Sequence, residues 1–198
     1  MNLPNKLTIS RFILTAAFLV VIFSEVRFHE TIALFLFGFA GLTDYFDGKI
    51  ARDRKLITNF GVLMDPLADK IMVCSAFIAF VGLKQTNVQA WMVVIIVARE
   101  LVITGLRLLA ASRNVVLAAE GYGKHKTISQ ITAILAVLVL MSYQEWGALG
   151  YYVFGFHVFG KPWVVWFTPF AIWVSVILTF TSGFLYLWRN RQLYLQDM

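Results

Sequence analysis

Residues 44–69 read DYFDGKIARDRKLITNFGVLMDPLAD and hold five of the six aspartates in the chain, four of them at helical spacing: Asp44, Asp47, Asp65 and Asp69. The first two lie three apart at the end of one apolar run, and the last two lie four apart at the start of the next. On helices, spacings of three and four put both side chains of a pair on one face. Two antiparallel helices joined by residues 48–64 would therefore gather the four carboxylates near one membrane surface. Clustered anions in an apolar chain are costly unless cations neutralise them. Oxygen donors of this kind suit Mg2+, Mn2+ or Ca2+ better than zinc or copper. The stretch predicts a divalent-metal site holding two ions. The plainer alternative is a set of surface aspartates that cap two helices.

The surrounding composition sets the solvent. Of 198 residues, 60% are hydrophobic and 14% charged, and the mean hydropathy is +0.75. That describes an integral membrane protein, and the length suits one domain, 1–198. The net charge of +6 comes from basic residues placed between apolar runs, which assigns them to lipid headgroups and anionic substrates and not to nucleic acid. The single cysteine, Cys74, excludes an internal disulfide and falls inside an apolar run. Phe12–Phe23 follows Lys6 and Arg11 as a signal peptide would, but Ser24-Glu25-Val26-Arg27 has no small-residue cleavage pattern, so the run is read as a membrane span.

An apolar run of about 20 residues crosses a bilayer as a helix. Six runs qualify, roughly 8–24, 31–48, 66–83, 90–111, 127–144 and 163–188. They are continuous and do not alternate, so the fold class is all-α: six transmembrane helices, preceded by a short N-terminal interfacial segment. Within NLPNKLTISR, Pro4 and then Thr8 or Ser10 are the helix-start candidates. Lysine and arginine placement orients the bundle. Twelve of the seventeen flank the amino end, the joins 49–55 and 107–126, and the carboxyl end; Arg27, Lys84 and Lys161 lie opposite. Both termini and the aspartates are expected in the cytoplasm.

Other positions carry weaker signals. Gly48 suits a helix C-cap or a close backbone approach, and Gly61 lies one turn before Asp65 on the same face. Pro66 suits the first turn of the third span. In the fourth span, Arg99 and Glu100 cannot comfortably face lipid. Glu100, Thr104 and Arg107 share a face at i, i+4 and i+7, and the Arg99–Glu100 pair could equally serve packing alone. GYGKHKTISQ, residues 121–130, places two glycines and two lysines at a helix start, a plausible phosphate cradle. Residues 145–162 form an outer loop rich in glycine and aromatics, explained by the interface alone. His29 and His157 fall on that outer side and take no role.

Four carboxylates with Arg52, Arg107, Lys124 and Lys126 around them suit transfer of a phosphate-bearing group on a lipid. Residue reading stops there. The run Asp47-Gly48, Ala51-Arg52, eight residues, Gly61, Asp65, Asp69, with Asp44 ahead, resembles the signature of the CDP-alcohol phosphotransferases at every fixed position. That resemblance implies a membrane enzyme that attacks a CDP-linked lipid with an alcohol and releases CMP. It implies Mg2+ or Mn2+ on Asp44, Asp47 and Asp65, and Asp69 as the base that activates the alcohol and a further ligand. It implies that Gly48, Ala51, Arg52 and Gly61 shape the cytidine-diphosphate pocket, with Asn5 and Thr8 contacting its cytidine end.

NLPNKLTISR, RELVITGLR and GKHKT are similar to family members that use sn-glycerol 3-phosphate as acceptor and CDP-diacylglycerol as donor. The resemblance implies a homodimer in the bacterial inner membrane, with the acceptor phosphate on Arg107 and Lys126, then Lys124 and Arg113. A second reading changes the acceptor to inositol phosphate, serine, choline or phosphatidylglycerol. A third, an ion carrier, would place carboxylates near the bilayer midplane on broken helices in inverted repeats. These acids lie at span ends and no repeat is evident.

Overall fold

The computed structural model describes residues 3–53, 59–113 and 122–195; within them, the side chains of 3, 4, 44–53, 59, 60, 62, 63, 122–124 and 195 are outside the description. The described chain is almost wholly helical. It runs α1 (Leu3–Ile22), α2 (His29–Asp53), α3 (Asn59–Val81), α4 (Ala90–Ser112), α5 (Tyr122–Ser142), α6 (Gly147–Phe154), α7 (Trp163–Arg189) and α8 (Gln192–Leu195). Each of the six expected runs falls on one of the long helices α1–α5 and α7. Among the described residues, three segments are long and apolar enough to cross a membrane on that basis alone: Asn5–Ile22, His125–Phe154 and Trp163–Arg189, with His29–Thr43 as a shorter apolar run.

Several boundaries differ from expectation. The first helix begins at Leu3, ahead of Thr8 and Ser10, so the amino-terminal segment and the first run are one rod. Gly48 lies within α2, which continues to Asp53, and therefore does not cap it. Pro66 sits inside α3, which starts seven residues earlier at Asn59. Apolar content marks where a chain meets lipid, whereas backbone hydrogen bonding continues into the polar flanks. The outer loop is also more ordered than its composition suggested. It folds as a 3-10 turn over Tyr143–Trp146, then α6, then a hairpin pairing His157–Val158 with Lys161–Pro162. Phe159 and Gly160, at φ 51° and 78°, make that hairpin's two-residue turn, the positive-φ geometry that matches strand twist.

The interior is packed from small and aromatic side chains. Phe18, Phe37, Phe77, Phe80, Ile96, Ile134 and Val137 are buried, with Ala33, Ala40, Ala76 and Ala133 between them. Lipid tails are as apolar as leucine, so close contact of this kind holds membrane helices together better than any gain in burial. Conversely, Val20, Leu101, Leu108, Phe170, Phe180 and Phe184 face outward. Such an apolar exterior is at home only against lipid. Among the described residues, α1 packs against α2 and α3 more extensively than those two pack on each other. The two aspartate-bearing helices were expected to be neighbours; among the described residues they touch, and α1 lies against both. On the other flank, α7 packs on α5 and α4.

Candidate active site

The third helix carries Asp65 and Asp69 one turn apart, as their spacing requires. The first helix meets them with Thr8 and Arg11, three apart and therefore also on one face; both are completely buried. Thr8 Oγ1 donates to Asp65 Oδ1 at 2.5 Å. Arg11 Nη2 donates to the same oxygen at 3.4 Å, and Arg11 Nη1 forms an ion pair with Asp69 Oδ1. The guanidinium is planar with donors spread across a fork, so one arginine can bridge two carboxylates where a lysine would reach one. The Arg11 side chain is sealed, but the Asp65 and Asp69 side chains are 39% and 48% exposed. The acids thus face an opening while their counter-charge stands behind them.

A second polar group continues inward from Asp69. Lys70 Nζ donates to Thr104 Oγ1 at 2.5 Å, and Thr104 Oγ1 donates to the Glu100 carbonyl at 2.6 Å. The Glu100 carboxylate forms an ion pair with Lys126, and Arg99 Nη1 stands 3.4 Å from the same Oε1. Glu100 and Lys126 are both buried. Of the face expected on α4, Glu100 and Thr104 join this group. Arg107 is exposed and turns to α7, its guanidinium 5.8 Å from the Tyr186 ring centre and its Nε 3.5 Å from the Tyr186 hydroxyl. Arg113 Nη1 donates to the Leu193 carbonyl in α8 at 2.8 Å.

The structure therefore gathers Thr8, Asp65 and Asp69 at one place and puts Lys126 with Glu100. Asn5 lies on α1 one turn before Thr8, and Gly61 is buried on α3 one turn before Asp65. Asp44, Asp47, Gly48, Ala51 and Arg52 are on α2 and Lys124 on α5, with side chains outside the described residues. Among the described residues no three His, Cys, Asp or Glu side chains converge; only Asp65 and Asp69 of the four expected ligands are in that set. Those two present carboxylate oxygens on one open face, which fits a hard divalent cation. Arg11 is the member of this group that sequence reading passed over. It was counted as a charge flanking the first span, although its place three residues after Thr8 on the same apolar helix was the available signal.

Comparison with known proteins decides the class. The model of the CDP-alcohol phosphatidyltransferases matches residues 1–181, which take in α1 through most of α7. The chain belongs to that family. It is 36% identical over 201 residues to the CDP-diacylglycerol–glycerol-3-phosphate 3-phosphatidyltransferase of Bacillus subtilis (strain 168), covering 96% of this chain and 95% of that one. The protein of the same name from Rickettsia typhi (strain ATCC VR-144 / Wilmington) is 31% identical over 185 residues, covering 93% and 94%. A probable phosphatidylglycerophosphate synthase of Mycobacterium tuberculosis (strain ATCC 25618 / H37Rv) is 39% identical over 136 residues, covering 67% and 64%. In this member of the family, then, the conjunction of Asp65, Asp69, Thr8 and Arg11 lies wholly within the matched stretch.

Proposed function

We infer that this chain transfers a phosphatidyl group from CDP-diacylglycerol to sn-glycerol 3-phosphate, giving phosphatidylglycerophosphate and CMP. The observation that carries the reading is its 36% identity to the Bacillus phosphatidyltransferase, in an alignment that covers 96% of this chain. The open pair Asp65 and Asp69, backed by Arg11, is what such a reaction needs locally.

Asp69 takes the proton from a glycerol 3-phosphate hydroxyl as its oxygen bonds to the phosphorus that carries diacylglycerol. The bond from that phosphorus to the CMP oxygen breaks, and CMP leaves. Arg11 fixes the direction of the Asp69 carboxylate, so the base is aimed before the acceptor arrives. Two divalent ions, Mg2+ or Mn2+, on Asp44, Asp47, Asp65 and Asp69, would neutralise the pyrophosphate and the departing phosphate. Gly48, Ala51, Arg52, Gly61, Asn5 and Thr8 shape the CDP-lipid pocket. The acceptor's phosphate is assigned first to Arg107 and Lys126, and next to Lys124 and Arg113. The chain is one domain of six membrane crossings, a homodimer in the bacterial inner membrane, with its aspartates and both termini in the cytoplasm.

The test is CMP release by detergent-purified protein given CDP-diacylglycerol and Mg2+ or Mn2+, with glycerol 3-phosphate, inositol phosphate, serine or no alcohol. Release should require the metal and glycerol 3-phosphate. In Asp69→Asn it should fall about 10^2- to 10^4-fold, the range a positioned base contributes. Release with another alcohol would move the acceptor. None at all from folded, metal-binding protein would sink the reading.

A further inference from the structure

We propose that Glu100 is a positioning residue that holds the Lys126 ammonium ready for the acceptor's phosphate. This inference rests on the acceptor assignment made under Proposed function. Lys126 is 5% exposed and Glu100 7%. A lysine has four rotatable side-chain bonds and, left alone, a strong preference for water. At this site its charged end is directed onto Glu100 of α4. The carboxylate is what keeps the cation there.

Two observations separate this from a pair that serves packing alone. A packing pair would be neutral, but the Glu100 carboxylate is shared between Lys126 and Arg99. The described cluster of Arg99, Glu100 and Lys126 thus has two positive charges against one negative. A buried group with surplus positive charge attracts an anion. Arg99 is also held there against resistance. Its Nε is buried with no hydrogen-bond partner, and its stem passes α7 only where Gly183 lacks a side chain, since a Cβ there would lie 2.8 Å from Arg99 Cγ.

The second observation is the link to the base. Glu100 is tied through its own carbonyl to Thr104, and through Thr104 to Lys70, the residue after Asp69. The chain Asp69-Lys70, Thr104, Glu100, Lys126 therefore fixes where the ammonium stands relative to the base. Glycerol 3-phosphate has its reacting hydroxyl and its phosphate at opposite ends of three carbons. Base and phosphate seat must then keep one separation if the hydroxyl is to be in line when the phosphate is bound. Glu100 sets that separation without touching substrate.

The experiment compares wild type with Glu100→Gln, Glu100→Asp and the charge-exchanged pair E100K/K126E. It measures KM for each substrate, kcat and thermal unfolding. It also measures heat stabilisation by inorganic phosphate, a probe that needs no turnover. Glu100→Gln should raise the KM for glycerol 3-phosphate about 10- to 100-fold, the usual cost of losing a residue that orients a ligand-binding group. The KM for CDP-diacylglycerol should hold and kcat should change far less. Phosphate stabilisation should weaken in parallel, and Glu100→Asp should recover part of the loss. The exchanged pair should regain thermal stability but keep the high KM, because its cation has moved to α4.

An unchanged KM in Glu100→Gln, or an exchanged pair that restores KM together with stability, would overturn the proposal. If Glu100→Gln does not fold, Glu100→Asp and the exchanged pair decide on the same criteria. A wild type that uses a different acceptor, or none, overturns the acceptor assignment instead. The phosphate measurement then still reads the role of Glu100.

Discussion

Two ion-pair groups stand on neighbouring faces of the same bundle and differ in which partner meets solvent. In the group built by α1 and α3, the cation is sealed: Arg11 is fully buried, while Asp65 and Asp69 are 39% and 48% exposed. In the group built by α4 and α5, both partners are shut in, with the Lys126 and Glu100 side chains at 6% and 9%. An open pair is weakened by solvent screening, and its acids stay available to another ligand. A closed pair gives little net stability, yet breaking it is expensive because the remaining charge has no water to turn to. The difference separates acids left open to a ligand from a lysine whose position is fixed by its carboxylate partner.

Substitutions at the two groups should separate in the same order. Lys126→Met removes the closed pair's cation and leaves Glu100 with only Arg99 at 3.4 Å. It should destabilise the protein by about 2–3 kcal/mol, below the full cost of stranding a buried charge because that second cation remains. Thermal unfolding in detergent, with divalent metal absent, checks this. Arg11→Met breaks the open group, whose acids have water to turn to. Its loss should be about 1–2 kcal/mol under the same conditions. Added Mg2+ should recover most of that loss and none of the loss in Lys126→Met. Recovery in both variants would erase the distinction.

The smallest effect belongs to the far end of the bundle, where neither group reaches. There the Glu145 carboxylate accepts from the Thr31 backbone N–H at 3.0 Å and from Thr31 Oγ1 at 2.5 Å. Trp146 Nε1 donates to the same hydroxyl at 2.8 Å. An acid at the start of α2 complements the free N–H groups of its first turn. Thr31→Val loses the hydroxyl contacts but keeps the backbone one, and should cost about 1 kcal/mol. CMP release at saturating substrate should stay at the wild-type level. A large loss of activity would show that the two ends are coupled.

The parts of this protein legible in its sequence are those governed by local rules. The six long helices follow from the length of the apolar runs. Asp65 and Asp69 share a face because four residues make about one turn. The same periodicity grouped Glu100 with Thr104. Helix ends were less legible. The third helix was expected to start near Pro66 and begins at Asn59, because hydropathy follows the bilayer whereas the helix follows its hydrogen bonds. The ordered outer loop was missed for a related reason: aromatic content signals an interface but not the helix and hairpin built there.

What tertiary structure alone decided was the choice of partners. Arg11 and Asp69 are 58 residues apart, and Lys126 is 26 from Glu100. No periodicity spans such distances. Arg11 read as one of many basic residues flanking a span, and Glu100 as the partner of its neighbour Arg99. Helix packing put α1 against α3 and brought the start of α5 to α4, and the low-dielectric interior then required each buried charge to find an opposite one. Sequence thus determined which residues could bear the chemistry, since residue type and helical period are local. Packing determined which of them meet, since a buried ion pair depends on which helices are neighbours.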